Sequence, residues 1–370
     1  MEEYCVGPEI CFRRYEDKMN DIFRNHNRKT YVAFLLIVTL LATVLCGCGG
    51  TKEDTELMGS YAASDNVINY DVGAMQEATF SPFLSEWFIC DITESMMNTE
   101  YVFDEEKPKT KGAAFVINRS TNELLFGYNM LTNVYPASIT KLLTTLVVLQ
   151  NCDLKETVTI DEFVAAQKRG SVTELNEGDV ITVYNLLVLL LTNSANNAAM
   201  ALARHVAGTE EAFVEKMNQA IDDLGVNNTN FCNSSGLHDE KHMTTAYDMY
   251  IVYQECTKYP AFREIMKLTE GEYDYTNANG ERTFRPYFTT NCFKASKERE
   301  KQADSKTYPL PAGFHVLGGK TGTTTHAGYC LILHVSNAEG TEFILGAFHC
   351  ESEEKLYTKL TELMERYCVS

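Results

Sequence analysis

With 370 residues and 45% hydrophobic side chains, the chain can bury a sizeable core and has length for more than one domain. The first 47 residues carry six acidic and six basic side chains, so the net charge of −19 belongs wholly to residues 48–370. That acidity excludes nucleic acid as an expected partner.

In chain order, Arg28 and Lys29 precede an apolar run from Tyr31 to Leu45, the length of a signal h-region and short of a full membrane span. Leu45-Cys46-Gly47-Cys48 comes next and resembles the lipobox of bacterial lipoproteins, which implies lipidation at Cys48; an uncleaved N-terminal anchor is the alternative. Either way an N-terminal anchor would hold the chain on the outer face of the membrane. Met19 stands as an alternative start. Residues 1–48 are thus assigned to export, and 49–105 to a linker and N-terminal extension. Thr51 to Asp71 is polar, and Val72 to Tyr101 holds Phe80, Phe83, Trp87 and Phe88 without a clear period.

From residue 106 the pattern is that of a folded domain. Ala113 to Asn118 and Leu124 to Tyr128 read as strands of a hairpin around Arg119 to Glu123. Ser138 to Gln150 is apolar on most of its circumference and reads as a buried helix entered through Pro136. Helices are expected over Thr182 to Leu191, Ala198 to Ala203 with a stop at Gly208, Ala212 to Leu224, and Thr244 to Cys256. After Gly319 the period becomes two: Lys320 to Thr323, Tyr329 to Val335 and Phe343 to His349 are expected strands, closed by a helix over Ser352 to Tyr367. Two strands, a helical block, three strands and a helix make an α+β fold: an antiparallel sheet of about five strands from both chain ends, flanked by helices, with an all-helical subdomain. The charged stretch Lys294 to Tyr308 reads as an extra surface loop.

Eight cysteines lie beyond Cys48, an even number that permits disulfides outside the cytoplasm, but eight thiols allow 105 pairings. They read as small core residues with room for one or two bridges. Cys232, His238 and His242 stand close in sequence, yet the Glu of a zinc-protease H-E-x-x-H is absent, so no metal and no cofactor are expected.

Three strings stand in order along this framework: Ser138-Ile139-Thr140-Lys141, Ser194-Ala195-Asn196 and Lys320-Thr321-Gly322. Taken singly they are cheap. Ser352 to Lys355 repeats the first spacing, and Ser64-Asp65-Asn66 and Ser120-Thr121-Asn122 repeat the second. Placement separates them: Ser138 starts a buried helix, Ser194 lies between two helices, and Lys320 opens a strand. The ordered set is that of penicillin-binding proteins and class A β-lactamases.

The neighbouring segments narrow the family. Tyr135-Pro136-Ala137-Ser138-Ile139-Thr140-Lys141, Asn233-Ser234-Ser235-Gly236-Leu237, His242-Met243-Thr244-Thr245-Ala246-Tyr247-Asp248, and Lys320-Thr321-Gly322-Thr323-Thr324 with Ala327-Gly328 are similar to segments of the low-molecular-mass D-alanyl-D-alanine carboxypeptidases. The resemblance covers about Lys111 to Tyr367 and implies the penicillin-recognising fold for a serine D,D-peptidase domain over 106–370. Two departures are Ala195 and Asn197, where the family usually has Gly and Asp.

A serine hydroxyl needs a base within hydrogen-bond reach, and Lys141 stands on the same helix face as Ser138. The lysine must be neutral, which burial and a second cation, Lys320, would favour. Ser194 would pass a proton to the leaving amine, and Asn196 would hold the substrate's peptide group. By the resemblance, the backbone N–H groups of Ser138 and Thr323 form the oxyanion hole. Lys320 and Thr321 take a terminal carboxylate, and Gly322 gives the ligand backbone close approach to the strand. The implied activity is removal of terminal D-Ala from peptidoglycan stem peptides through an acyl-Ser138 intermediate, with β-lactams as covalent inhibitors. A β-lactamase and a non-hydrolytic penicillin-binding sensor remain alternatives. The first would need an E-x-x-x-N loop between Asn196 and Lys320, and none stands out. The second would be marked by loss of a catalytic residue, and none is lost.

Overall fold

The computed structural model describes residues 112–226, 228–294 and 306–368. The export segment with Cys48, the extension to residue 105, Cys90, and most of the charged stretch between Lys294 and Tyr308 lie outside the described residues.

Strands β1 (Ala113–Asn118) and β2 (Glu123–Tyr128) form the expected hairpin. β1 also pairs antiparallel with a strand from the other end of the chain, so five strands lie in one sheet in the order Glu123–Tyr128, Ala113–Asn118, Glu342–Cys350, Gly328–Ser336, His315–Thr324. Both faces are apolar because both are covered. Phe115 and Ile117 point to a core shared with the helical block, while Ala114 and Val116 pack on the C-terminal helix through Leu356, Leu360 and Leu363. Phe115 stands opposite Gly346, where a Cβ would come within 2.2 Å of its ring.

In the block between the sheet's two halves, a short strand β3 (Asn133–Val134) leads into a 3-10 turn, Ala137–Thr140, and then helix α1, Lys141–Asn151. The helix expected from Ser138 therefore begins one turn later. Ala137 has φ +48°, outside the helical region, and the Thr140 hydroxyl donates to the Ala137 carbonyl at 2.8 Å, which fixes the tighter turn. After β4 (Thr157–Thr159), α2 (Glu162–Ala166) and β5 (Val180–Thr182) come α3 (Val183–Leu191), α4 (Asn196–Ala207) and α5 (Glu210–Asp223). Thr182 caps α3 by accepting from the Asn185 N–H, and Gly208, φ +80°, ends α4 where a stop was expected. Next come β6 (Thr244–Thr245), which pairs with β3, α6 (Ala246–Cys256) and α7 (Pro260–Lys267).

The block is not all-helical. β4 and β5 join a hairpin of β7 (Glu270–Thr276) and β8 (Arg282–Phe288) in a four-stranded sheet. Two of these strands have three residues each, and β7–β8 is half-exposed and charged, so neither gives a clean apolar alternation. β9 (His315–Thr324) begins five residues before the expected Lys320. β10 (Gly328–Ser336), β11 (Glu342–Cys350) and α8 (Glu353–Tyr367) close the fold as the periodicity predicts. The seven described cysteines are free thiols, most of them buried among core side chains, so the room for a bridge is unused among the described residues.

Candidate active site

The Ser138 turn is clamped from two sides. Gly236, φ +86°, lies so close that a Cβ there would stand 1.9 Å from the Ala137 carbonyl oxygen. A Cβ on Gly322 would stand 2.7 Å from the Pro136 oxygen and 3.1 Å from Ile139 N. The Ser138 turn itself thus makes a close approach that requires glycine at 322, beside any approach of a ligand backbone.

Asn233 shapes the loop that carries Gly236. Its Oδ1 accepts from the N–H groups of Ser235, Gly236 and Leu237, and its Nδ2 donates to the Leu237 carbonyl at 2.9 Å. The fold of this loop turns the Ser235 carbonyl inward, where it accepts from Lys141 Nζ at 2.6 Å. His242 supports the turn from behind. Since the Thr140 proton goes to Ala137, Nε2 of His242 donates to Thr140 Oγ1 at 2.7 Å, and Nδ1 accepts from the Cys232 N–H at 3.0 Å. The ring is held neutral; burial brings its pKa down to about 4. Both its nitrogens are committed to protein partners, so it does not join Cys232 and His238 around a metal.

Lys141 and Lys320 are completely buried. Lys141 Nζ lies 2.9 Å from Ser138 Oγ, 2.8 Å from Asn196 Oδ1 and 2.6 Å from the Ser235 oxygen. Burial above all, then the Lys320 charge, lowers the Lys141 pKa well below the ordinary lysine range. As a neutral amine it has two protons and one lone pair. The Asn196 and Ser235 oxygens can only accept, so they take the two protons and the lone pair faces the Ser138 hydroxyl.

Lys320 Nζ donates to Ser194 Oγ at 2.8 Å and to the Thr321 carbonyl at 2.9 Å, and burial lowers its pKa to about 7. Ser194 sits at φ +58° between α3 and α4, a conformation that costs about 1–3 kcal/mol and aims its hydroxyl at Lys320. Asn196 is bound into the protein frame. Its Oδ1 holds Lys141 and its Nδ2 donates to the Arg169 carbonyl at 2.9 Å, so both ends serve the protein frame. The 169–171 loop has no motif that could have disclosed it, yet it also takes the Asn196 N–H on the Ser171 oxygen, and Gly170 leaves room for the Asn196 amide. Ser138, Ser171, Ser194, Thr321, Gly322 and Thr323 line one groove of about 240 Å³. Thr290 lines it too, its hydroxyl 2.6 Å from that of Thr321, a contact the sequence did not announce. Of the expected site residues, only Cys48 is outside the described residues.

Residues 102–347 match the profile of the D-alanyl-D-alanine carboxypeptidase family, peptidase S11. The chain is 32% identical to the D-alanyl-D-alanine carboxypeptidase DacF of Bacillus subtilis over 257 residues, 68% of this chain and 61% of that protein. It is 27% identical to a D-alanyl-D-alanine endopeptidase of Escherichia coli over 241 residues, 64% and 71% of the two chains. The crystal structure of the Streptomyces K15 DD-transpeptidase superposes with a TM-score of 0.61 at 25% identity, covering 70% of this chain and 97% of that one. A D-alanyl-D-alanine carboxypeptidase from Mycobacterium tuberculosis shares the fold at a TM-score of 0.58 and 22% identity, over 71% and 93% of the chains. The chain spans about three-fifths of the length of DacF. With the family profile covering most of the folded region and the serine–lysine pairs in place, the chain belongs to the D-alanyl-D-alanine carboxypeptidase family, peptidase S11.

Proposed function

We propose that the protein is a serine D-alanyl-D-alanine carboxypeptidase that removes terminal D-Ala from peptidoglycan stem peptides. The observation that carries this reading is the Lys141 amine, whose two obligate acceptors leave its lone pair to the Ser138 hydroxyl. Ser138 Oγ attacks the carbonyl of the penultimate D-Ala while its proton passes to Lys141 Nζ. The backbone N–H groups of Ser138 and Thr323 receive the oxyanion; one such donor is typically worth about 2.7–4 kcal/mol. Lys320, still charged, and Thr321 hold the substrate's terminal carboxylate. The proton that Lys141 took up passes through Ser194, held by Lys320, to the leaving D-Ala amine, so the C–N bond breaks, Lys141 is neutral again and acyl-Ser138 remains. Water, deprotonated by Lys141, then attacks the ester and frees Ser138. β-Lactams acylate the same hydroxyl, and Asn196 acts by positioning Lys141.

The same reading places the reaction outside the cytoplasmic membrane, with residues 1–48 as export segment and Cys48 as the lipid-bearing residue. Among the described residues no helix is long and apolar enough to cross a membrane. Labelling with an alkyne fatty acid checks the anchor: the label is expected on the wild-type chain and absent from Cys48→Ser.

The reaction is tested by incubating the full chain with fluorescent penicillin and with a peptide ending in D-Ala-D-Ala, beside Ser138→Ala. Stable labelling and D-Ala release, both abolished in Ser138→Ala, are expected. Labelling without any D-Ala release would overturn the hydrolase, and rapid loss of the label would indicate a β-lactamase instead.

A further inference from the structure

Helices α1 and α4 are joined at their N-terminal ends by the bond from Lys141 to Asn196, the first residues of the two helices. Their opposite ends also meet. Cys152 is the residue that caps the end of α1, and His205 lies in the last turn of α4. Between them stands Glu156, whose Oε1 accepts from the Asp153 N–H at 2.6 Å while Oε2 meets His205 Nε2 at 2.8 Å. The Cys152 Sγ, a Glu156 carboxylate oxygen and a His205 ring nitrogen all lie within 4.8 Å of one another.

We propose that Cys152, Glu156 and His205 form a site for a zinc-class divalent cation, with water as the fourth ligand, that ties α1 to α4 at the ends remote from the catalytic bond. One sulfur, one nitrogen and one oxygen donor suit a borderline-soft ion that prefers tetrahedral coordination and are a poor set for calcium or magnesium, which take oxygen. Bonds of about 2.0–2.3 Å around a tetrahedral ion put donor atoms about 3.5 Å apart, so small side-chain rotations close the present triangle. The ligands are already oriented: Glu156 by the Asp153 N–H, His205 by its helix, and Cys152 by a backbone bond from its N–H to the Val148 carbonyl at 3.0 Å. All three reach solvent, which gives the ion an entry path. The sequence concealed the site because Cys152 and Glu156 are four apart with no motif, and His205 comes from a separate helix. The proposal stands apart from the activity proposed above, since none of the three residues touches the groove.

The full chain, freed of metal with a chelator, is titrated with cobalt(II) and then zinc(II). A thiolate-to-cobalt charge-transfer band that zinc bleaches is expected. It should vanish in Cys152→Ser and persist in Cys232→Ser. His205→Ala should weaken cobalt binding at least about tenfold, since even outer-shell losses cost about 10–100-fold. Zinc should raise the unfolding temperature of the wild type and leave that of Cys152→Ser unmoved. No charge-transfer band at saturating cobalt, or a band that survives Cys152→Ser, overturns the proposal. Should Cys152→Ser fail to fold, an unchanged cobalt affinity in His205→Ala overturns it.

Discussion

The groove has two serine–lysine pairs, and they are built differently. Lys141 is ringed by oxygens, two of which can only accept, and it faces a serine held in a turn that two glycines clamp. Lys320 has one serine and the carbonyl of its own neighbour, and the strand that carries it lines the groove through Thr321 and Thr323. Both are buried, but Lys141 is pushed well below the ordinary lysine range by burial and the Lys320 charge, whereas burial leaves Lys320 near 7. Burial thus lowers both amines, and Lys141 is lowered further by the charge of its neighbour. On the proposed mechanism Lys141 would serve as the base and Lys320 would meet an anionic ligand.

The largest effect that would break this contrast comes from Lys141→Met, which keeps the volume and removes the lone pair. The rate of acylation by fluorescent penicillin is expected to fall by about 10²–10⁴-fold, the usual worth of a positioned base. A rate within a few-fold of wild type would remove Lys141 from its role. Next comes the clamp. Gly236→Ala puts a Cβ against the Ala137 oxygen at a left-handed φ, and labelling is expected to slow at least about tenfold while the unfolding temperature drops. Gly340→Ala is the control. It has φ +82° and open space around it, so it should lose about 1 kcal/mol of stability from backbone conformation alone and label normally.

The pH dependence sharpens the contrast between the lysines. A lysine whose folded pKa is lowered to about 7 loses its charge as pH rises through 7. Carboxylate recognition by Lys320 should therefore weaken above that pH, and kcat/KM for a D-Ala-D-Ala peptide should fall by up to about tenfold per pH unit. In the complex the bound carboxylate favours the charged amine, so the alkaline limb of kcat should lie higher than that of kcat/KM. Lys320→Gln should lose this limb of kcat/KM along with most of the affinity. An unchanged limb in that variant would assign it to another group.

The sheet and most helices were legible because each has one period over many residues and a marked end, as in Thr182 before α3 and Gly208 after α4. The second sheet was not, because Thr157–Thr159 and Val180–Thr182 are too short to show a period and Glu270–Phe288 is charged on its open face. The structure brings together Ser138, Lys141, Ser194 and Lys320, which the family resemblance and the placement of the three strings had picked out. What spacing hid was the direction of carbonyls: the Ser235 oxygen that takes a proton from Lys141, and the Arg169 and Ser171 oxygens that hold Asn196. Backbone acceptors carry no side-chain signature, so a motif can mark the loop without disclosing what it presents. The protein contacts of Asn196 and Gly322 stayed hidden for that reason, since both are engaged by the protein's own backbone.

The smallest effect belongs to the decoy. Ser352 to Lys355 repeats the spacing of Ser138 to Lys141, yet Ser352 is the N-cap of α8, its hydroxyl accepting from the Lys355 N–H at 3.1 Å. The Lys355 amine turns outward to Glu351 at 2.7 Å. Here the three-residue step serves a helix end and nothing chemical, because the lysine is exposed and ion-paired to Glu351. Ser352→Ala should cost about 1 kcal/mol of stability, the ordinary worth of such a cap, as measured by denaturant unfolding. Penicillin labelling of that variant should match wild type. A loss of labelling without a loss of stability would mean that the C-terminal helix reaches the chemistry, and that spacing outweighs placement in this chain.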